Sequence, residues 1–331
     1  MSNNGYSLTN GTAARATFRE YLAIARFDHA TKHVFIIPGI CIAYALRDPP
    51  LQGAAVAITL GFMSAVATAS ANYVINEWLD REFDVFHPTK SARAAVQRSL
   101  SSNIVYAEYT ALALIGMLLA LTVGASFFYI SCLFLASGLI YNVRPVRSKD
   151  LPYLDVISES ANNPIRLALG WTMIDPTSLP PSSLLLAYWT AGAFLMAAKR
   201  MSEYRDISQG TDASLLCRYR RSFRWYTAES LTVSCLLYAM MSAFFIAVFL
   251  TRYRLEYILA LPFIAILFAS YFWLSMLENS IAQRPEKMFR SRRLLASLGM
   301  AVFALFLVSF VDLPVLEYLL EPGFMPVDKL K

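Results

Sequence analysis

The sequence predicts an all-α, polytopic membrane protein with nine transmembrane helices, and three observations carry that reading. Of the 331 residues, 57% are hydrophobic and only 16% charged, with a mean hydropathy of +0.47. A soluble chain runs at roughly 45–50% apolar and about 25% charged. The apolar residues gather in nine runs near the length a helix needs to cross a hydrocarbon core about 30 Å thick. The third observation is the way Lys and Arg alternate between the segments that join those runs.

The runs lie at 33–47, 54–76, 105–123, 125–142, 155–174, 183–200, 229–251, 255–275 and 294–312. The first is short, and Pro262 is expected to kink the eighth. With the N-terminus in the cytoplasm, the inner segments hold four Lys/Arg before the first run and four in 77–104. They hold three more in 143–150, seven in 199–228 and five in 275–294, which makes 23 of the 29 basic residues. The outer segments hold five (Arg47, Arg252, Arg254, Lys329 and Lys331), and Arg166 lies inside a run. Basic residues resist translocation, so this asymmetry sets the orientation, and adding or losing one span would scramble it.

The expected organisation is a cytoplasmic segment 1–32, a single transmembrane domain 33–312 and an extracytoplasmic tail 313–331. Residues 1–32 are polar and show no apolar stretch of the kind a secretory signal carries. The two most heavily charged inner loops follow the second and sixth runs, which suggests two successive four-helix sets. The net charge of +6 does not indicate nucleic acid, because the basic residues are scattered between apolar runs. Cys41, Cys132, Cys217 and Cys235 show no C-x-x-C pairing, so neither a zinc site nor a disulfide framework is indicated. The Phe, Tyr and Trp content is what lipid-facing and interfacial positions require.

Polar residues cluster at three places in this apolar chain. The first is "NEWLDREFDVFHPTK" at 76–90. If the second helix continues past its apolar part, Asn72, Asn76, Asp80 and Asp84 recur every four residues and form one stripe, with Glu77 beside it, until Pro88 ends the helix. Stacked carboxylates repel, and a hard divalent cation such as Mg²⁺, which takes carboxylate oxygen and is shared with substrate phosphates, offsets that repulsion. The alternative is a solvated helix end whose acids pair with Arg81 and Lys90.

The second place is the fifth run, where Asp155, Glu159, Asn162, Asn163 and Arg166 share one helical face. Charges at membrane depth line a polar cavity or substrate path, unless they form an ion pair that fixes helix packing. The third is "KRMSEYRDISQGTD" at 199–212, with Lys199 and Glu203, and Arg200 and Tyr204, four residues apart. Arg218, Arg220, Arg221 and Arg224 follow; orientation accounts for some of these cations, and phosphate recognition for more. His29, His33 and His87 have no metal-ligand spacing. His87 either touches a phosphate or caps the helix end.

These features resemble the UbiA-type intramembrane prenyltransferase superfamily, in which helices surround a central cavity. Asn76-Glu77-x-x-Asp80-x-x-x-Asp84 is similar to its N-D-x-x-D-x-x-x-D motif, with Glu in place of the first Asp. The continuation "HPTK" resembles the branch that transfers phosphoribose to polyprenyl phosphate, the decaprenyl-phosphate phosphoribosyltransferases, whose motif runs into H-P-x-K-x-x-R-P-I-A. Lys199, Arg200 and Glu203 match that branch's K-R-x-x-E, while "YTAESL" at 226–231 and "LDV" at 154–156 stand where it has similar text. Arg93 is followed by "AAV" rather than "PIA". Asp206 and Asp212 are six apart and do not form a clean second aspartate-rich motif.

The resemblance implies Mg²⁺-dependent transfer from 5-phosphoribosyl diphosphate (PRPP) to a polyprenyl phosphate held among membrane lipids, in a bacterial plasma membrane. Asp80, Asp84, Asn76 and Glu77 are the expected metal ligands, with Asp80, Asp84 and Glu77 catalytic. Asn72, Asn76, His87, Lys90, Arg93, Asp155, Lys199, Arg200 and Glu203 are expected to bind substrate, and Arg166 or Lys32 the lipid phosphate. The rival enzyme reading is transfer from a prenyl diphosphate to an aromatic or other acceptor. A transporter using the charges of the fifth run as a relay is the rival of a different class.

Overall fold

The computed structural model describes residues 15–47, 49, 52–87, 89–210, 214–253, 255–277, 280, 282 and 291–316. They are helical almost throughout. In chain order the helices are α1 (Phe18–Ile24), α2 (Ile37–Arg47), α3 (Ala54–Asp84), α4 (Ala94–Gln97), α5 (Ser102–Val123) and α6 (Ala125–Asn142). There follow α7 (Leu154–Ser160), α8 (Asn162–Ile174), α9 (Ser182–Gly210), α10 (Ser214–Tyr219), α11 (Ala228–Tyr253), α12 (Leu261–Met276) and α13 (Arg292–Val308). Tighter 3₁₀ turns occupy Phe27–Ile36, Lys90–Ala92, Ser148–Asp150, Arg221–Trp225 and Leu255–Ala260.

Among the described residues five stretches are long and apolar enough to cross a membrane: α3, α5, α6, α11 and Leu255–Met276. The other four expected runs are helical but shorter, interrupted or more polar. The run at 33–47 divides between the 3₁₀ stretch Phe27–Ile36 and the 11-residue α2. That at 183–200 lies in α9, which continues through Lys199, Arg200, Glu203 and Arg205 to Gly210. That at 294–312 becomes the 17-residue α13.

Two expectations are corrected by proline chemistry. The fifth run is not one helix: α7 ends at Ser160 and α8 begins at Asn162. Pro164 has no N–H for the Ser160 carbonyl, and its ring would crowd that carbonyl in a continuous helix. The polar residues of this run therefore do not share one unbroken face. Pro262 does not kink a helix either, since it lies in the first turn of α12. There the missing N–H would have had no intrahelical partner anyway.

The chain packs as two compact units: Met1–Ser158 with Ile165–Leu179 and Thr211–Trp225, and Glu159–Pro164 with Pro180–Gly210 and Tyr226–Lys331. In the first, α3 packs along α5 and α6. Its buried residues there are small, including Gly61, Ser64, Ala65, Thr68 and Ala71. Small side chains let helix backbones approach closely where no water drives association. Ser64 Oγ donates to the Gly116 carbonyl at 2.7 Å, and Gly138 lies flat against the Asn72 side chain.

The α2–α8 crossing is closer still. A Cβ on Gly39 would overlap the carbonyl oxygen of Leu167, and one on Gly170 would overlap that of Ile36. In the second unit, α11 packs along α9 and α12 along α13. Phe194 gathers Phe268, Tyr271 and Phe272 at ring separations of 5.1, 5.6 and 6.5 Å. Arg205 donates to the Ser275, Met276 and Leu277 carbonyls, which satisfies the end of α12. Outward residues such as Leu114 and Leu118 on α5, and Leu236, Met240 and Phe244 on α11, are large, apolar and exposed. They mark faces suited to lipid.

The reciprocal glycine crossing gives a direct test. Gly39→Ala or Gly170→Ala must push α2 and α8 apart, at about 1–3 kcal/mol for overpacking. Gly299→Ala meets nothing within 4 Å. Thermal unfolding in detergent should show a lower Tm for the first two and no loss for the third.

Candidate active site

Helix α3 runs without a break to Asp84, so Asn72, Asn76, Asp80 and Asp84 do stack on one face. The helix ends there, four residues ahead of Pro88, which lies outside the described residues. His87 organises the following loop. Its Nδ1 accepts from the backbone N–H groups of Thr89 and Lys90, each at 3.2 Å. These bonds order the entry to the 3₁₀ turn Lys90–Ala92.

Every carboxylate of the stripe meets a cation. Asp80 Oδ1 accepts from Arg147 Nη2 at 2.9 Å and from Lys149 Nζ at 2.5 Å. Asn142 Oδ1 accepts from Lys149 Nζ and from Asn76 Nδ2, both at 2.7 Å. Arg147 also donates to Asp150 at 3.1 Å and to the Asn142 carbonyl at 3.2 Å. These several bonds hold Arg147 at φ +33°, a region costing a residue with a side chain of order 1–3 kcal/mol. Asp84 pairs with Arg93, and Glu77 with Arg26 Nε at 3.1 Å. Glu77, Asp84, Arg147 and Lys149 are all buried, at 2–6% exposure, so these charges interact with little screening by water.

Lys149 lies outside the apolar helices, and burial pushes its ammonium down to about 8. The neighbouring Arg147 and Arg220 add to that shift, while Asp80 opposes it.

The segment 214–225 supplies a further side of the site. Tyr219 bonds Lys90 through its hydroxyl and packs edge-on against His87 at 4.5 Å. Arg220 donates to Asp155 at 3.0 Å and to the Tyr141 hydroxyl at 3.1 Å. Ser222 also donates to Asp155, at 3.0 Å. Asp155 is fully buried, and its Oδ2 is held by Arg220 and Ser222 together.

A second cation pair lies about two turns from Asp80 toward the α3 N-terminus. Lys32 sits 5.1 Å over the Tyr73 ring and Arg166 4.9 Å over the Phe134 ring, and both act on the Tyr73 hydroxyl. Asn72 donates to the Phe134 carbonyl at 2.9 Å. Lys199, Arg200 and Glu203 belong to the second unit. There Arg200, 1% exposed, bonds Glu203 at 2.7 Å and Glu159 at 2.5 Å.

The UbiA prenyltransferase family model matches residues 34–293. The chain belongs to the UbiA prenyltransferase family. Family membership and the long apolar helices together make it an integral membrane protein. Nodulation protein NoeC of Azorhizobium caulinodans is 29% identical over 197 residues, 59% of this chain and 61% of that protein. The chain thus covers less than two thirds of that relative's length. A UbiA homolog from Archaeoglobus fulgidus bound to DMAPP and Mg²⁺ superimposes with a TM-score of 0.63 at 16% identity, over 88% of this chain and 100% of the other. Bound to GPP and Mg²⁺, the homolog gives a TM-score of 0.63 at 18% identity, with 88% and 99% covered. These likenesses show the shared fold.

In this UbiA-family chain the α3 carboxylates stand out in the sequence, and most of their partners do not. Asn142, Arg147, Lys149 and Tyr219 were not among the expected site residues, and Arg220 was expected only as one of a group of phosphate-directed cations. The signal available was "YNVRPVRSKD" at 141–150, whose three cations count equally as orientation determinants. Of the two cations expected at a solvated helix end, Lys90 lies near Asp84 and bonds Tyr219. Arg81 stacks on Trp78 at 3.7 Å and reaches Glu82.

Lys149 gives the site a pH dependence. Its ammonium is present below pH 8 and lost as pH rises through about 8, so attraction for a phosphate weakens on the alkaline side. Inorganic diphosphate binding by the wild type should fall across that range. Lys149→Arg, which stays protonated, should extend binding to higher pH, and Lys149→Gln should bind weakly without the inflection.

Proposed function

We propose that this UbiA-family enzyme transfers 5-phosphoribose from PRPP to a polyprenyl phosphate and releases diphosphate. The observation that supports it is the pair of cation groups on one helix. Arg147, Lys149, Arg93, Lys90 and Arg220 surround the Asp80–Asp84 end. Lys32 and Arg166 flank Tyr73. Two anionic reactants, a donor with three phosphates in all and a lipid phosphate, suit two such groups better than one diphosphate alone.

The donor set fits magnesium. Asp80 and Asp84 offer hard carboxylate oxygens on one stripe, with the Asn76 amide between Asp80 and the lipid-side turn. Among the described residues no group of three or more His, Cys, Asp or Glu forms a closed cage. Mg²⁺ typically takes one or two carboxylates and completes its shell with water and substrate phosphate. When bound, it supplies charge neutralisation for the departing diphosphate.

The chain's own residues account for the remainder. An oxygen of the lipid phosphate attacks C1 of the ribose, the C1–O bond to diphosphate breaks, and the electron pair leaves with the diphosphate. The attacking oxygen is already anionic, so no base is needed. Lys149, Arg147 and Arg220 stabilise the leaving group, and Lys90 and Arg93 hold donor phosphates. The resemblance assigns Lys199, Arg200 and Glu203 to the donor as well. Lys32 and Arg166 hold the lipid phosphate, and the apolar surroundings limit hydrolysis of the donor.

A second reading is favoured by the family's own description and by the DMAPP and GPP of the Archaeoglobus fulgidus homolog: transfer of a prenyl group from a prenyl diphosphate. Membranes containing the protein, given radiolabelled PRPP or radiolabelled prenyl diphosphate and then extracted with organic solvent, separate the two. The proposed reaction places the PRPP label in a lipid and depends on added Mg²⁺. Label entering lipid only from the prenyl donor would overturn it. Asp80→Asn should lower kcat/KM by about 10²–10³, the scale of losing one preorganised electrostatic group. Arg166→Ala should act mainly on the KM for lipid phosphate.

A further inference from the structure

Glu77 stands where the resembled motif has its first aspartate, yet its ion pair is with Arg26, a different partner from those of Asp80 and Asp84. Its side chain is 5% exposed and paired with Arg26 Nε at 3.1 Å. Arg93 and the Ala95 backbone N–H add to the positive potential around it. Arg26 is the joint of the N-terminal segment: it follows α1, takes φ +53° and opens the 3₁₀ stretch Phe27–Ile36. On one side of this joint, Ile24 and Ala25 are packed in a cluster with Val74, Ala95, Leu100 and Val105. On the other, six residues after Arg26, Lys32 reaches the Tyr73 ring. Tyr73 and Glu77 are four apart on α3, so the two contacts sit one turn above the other on the same helix.

We propose that Glu77 is a positioning residue for the acceptor. By holding Arg26 it sets the turn from which Phe27–Ile36 departs, and so fixes where the Lys32 ammonium stands relative to Tyr73 and Arg166. The proposal rests on the reading that Lys32 and Arg166 hold a lipid phosphate. It separates the motif's acids by task, Asp80 and Asp84 serving the donor side and Glu77 the acceptor side. The longer Glu side chain gives the carboxylate the reach to meet Arg26, and an aspartate there would fall short by one methylene.

The test uses the full chain in detergent or nanodiscs. With radiolabelled PRPP and decaprenyl phosphate, Glu77→Gln and Arg26→Ala should each raise the KM for the lipid by about tenfold. The KM for PRPP and the half-saturating Mg²⁺ should stay within about twofold of the wild type. The exchanged pair Arg26→Glu with Glu77→Arg should recover much of the lipid KM, which also controls for misfolding of the single variants. Hydrogen exchange of the 27–36 backbone should quicken in both single variants and slow again in the exchanged pair. A third measurement does not depend on turnover: Mn²⁺ bound with inorganic diphosphate should give the same electron paramagnetic resonance spectrum in wild type and Glu77→Gln. A changed spectrum, or a shift in the Mg²⁺ requirement with the lipid KM untouched, would overturn the proposal by making Glu77 a metal ligand. If the wild type fails to use PRPP at all, the reading of the reaction falls. The exchange and spin-resonance results would then still decide whether Glu77 serves Arg26 or the metal.

Discussion

Carboxylates stacked along the end of an apolar helix cannot be left to themselves, and most of the first compact unit can be read as a response to that constraint. Two unit charges 4 Å apart interact by about 4 kcal/mol at an effective dielectric constant of about 20. Glu77, Asp80 and Asp84 occupy successive turns of α3, with Glu77 and Asp84 almost wholly buried. The chain answers with cations from four separate places: Arg26 after α1, Arg93 after α3, Arg147 and Lys149 after α6, and Arg220 after α10. Each of these segments is irregular or only briefly helical. Their common dependence on the α3 stripe gives such short pieces a defined place, and removing one buried partner would leave its counterpart uncompensated, at about 3–5 kcal/mol.

The same helix solves a packing problem along the rest of its length. The residues it buries along the apolar part are mostly small, so α5 and α6 come close through Gly116 and Gly138. Close approach brings the end of α6 to the stripe, where Asn142 bonds both Asn76 and Lys149. Were α6 held off by a larger residue at position 138, Asn142 would lose Asn76, and the loop carrying Arg147 and Lys149 would start from a different place. Packing in the apolar region thus sets electrostatics at the helix end, through one face of one helix.

Period and composition made α3 and its stripe readable, because a four-residue repeat of Asn and Asp has one geometric meaning once a helix is granted. The partners were not readable, because charge pairing across distant segments leaves no periodic trace. Arg147 and Lys149 looked like orientation determinants, and they serve that count whether or not they touch Asp80. The apolar run at 155–174 misled for a different reason: hydropathy registers how much apolar length is present, not whether it is continuous. Pro164 held the information about the break, and its local rule outweighed the run. Glu77 showed a departure from the resembled motif that length alone hinted at, since its meaning lay in Arg26, far away in sequence.

The balance of charge bears on how such a site accepts a ligand. Against Glu77, Asp80, Asp84, Asp150 and Asp155 stand Arg26, Lys90, Arg93, Arg147, Lys149 and Arg220, with Lys32 and Arg166 beyond them. In this arrangement the carboxylates and the cations satisfy one another, so neither set stands uncompensated. On the proposed reading, a metal carried by an anionic donor brings positive charge for Asp80 and Asp84 and negative charge for Lys149 and Arg147 together. Either alone would meet a site whose complementary groups are already engaged, and would have to break those pairs with only half of the replacement. On that same reading, the pairing that stabilises the fold also ties metal and diphosphate to a common binding event, because the free energy lost from the internal pairs is recovered only when both sets of groups find new partners.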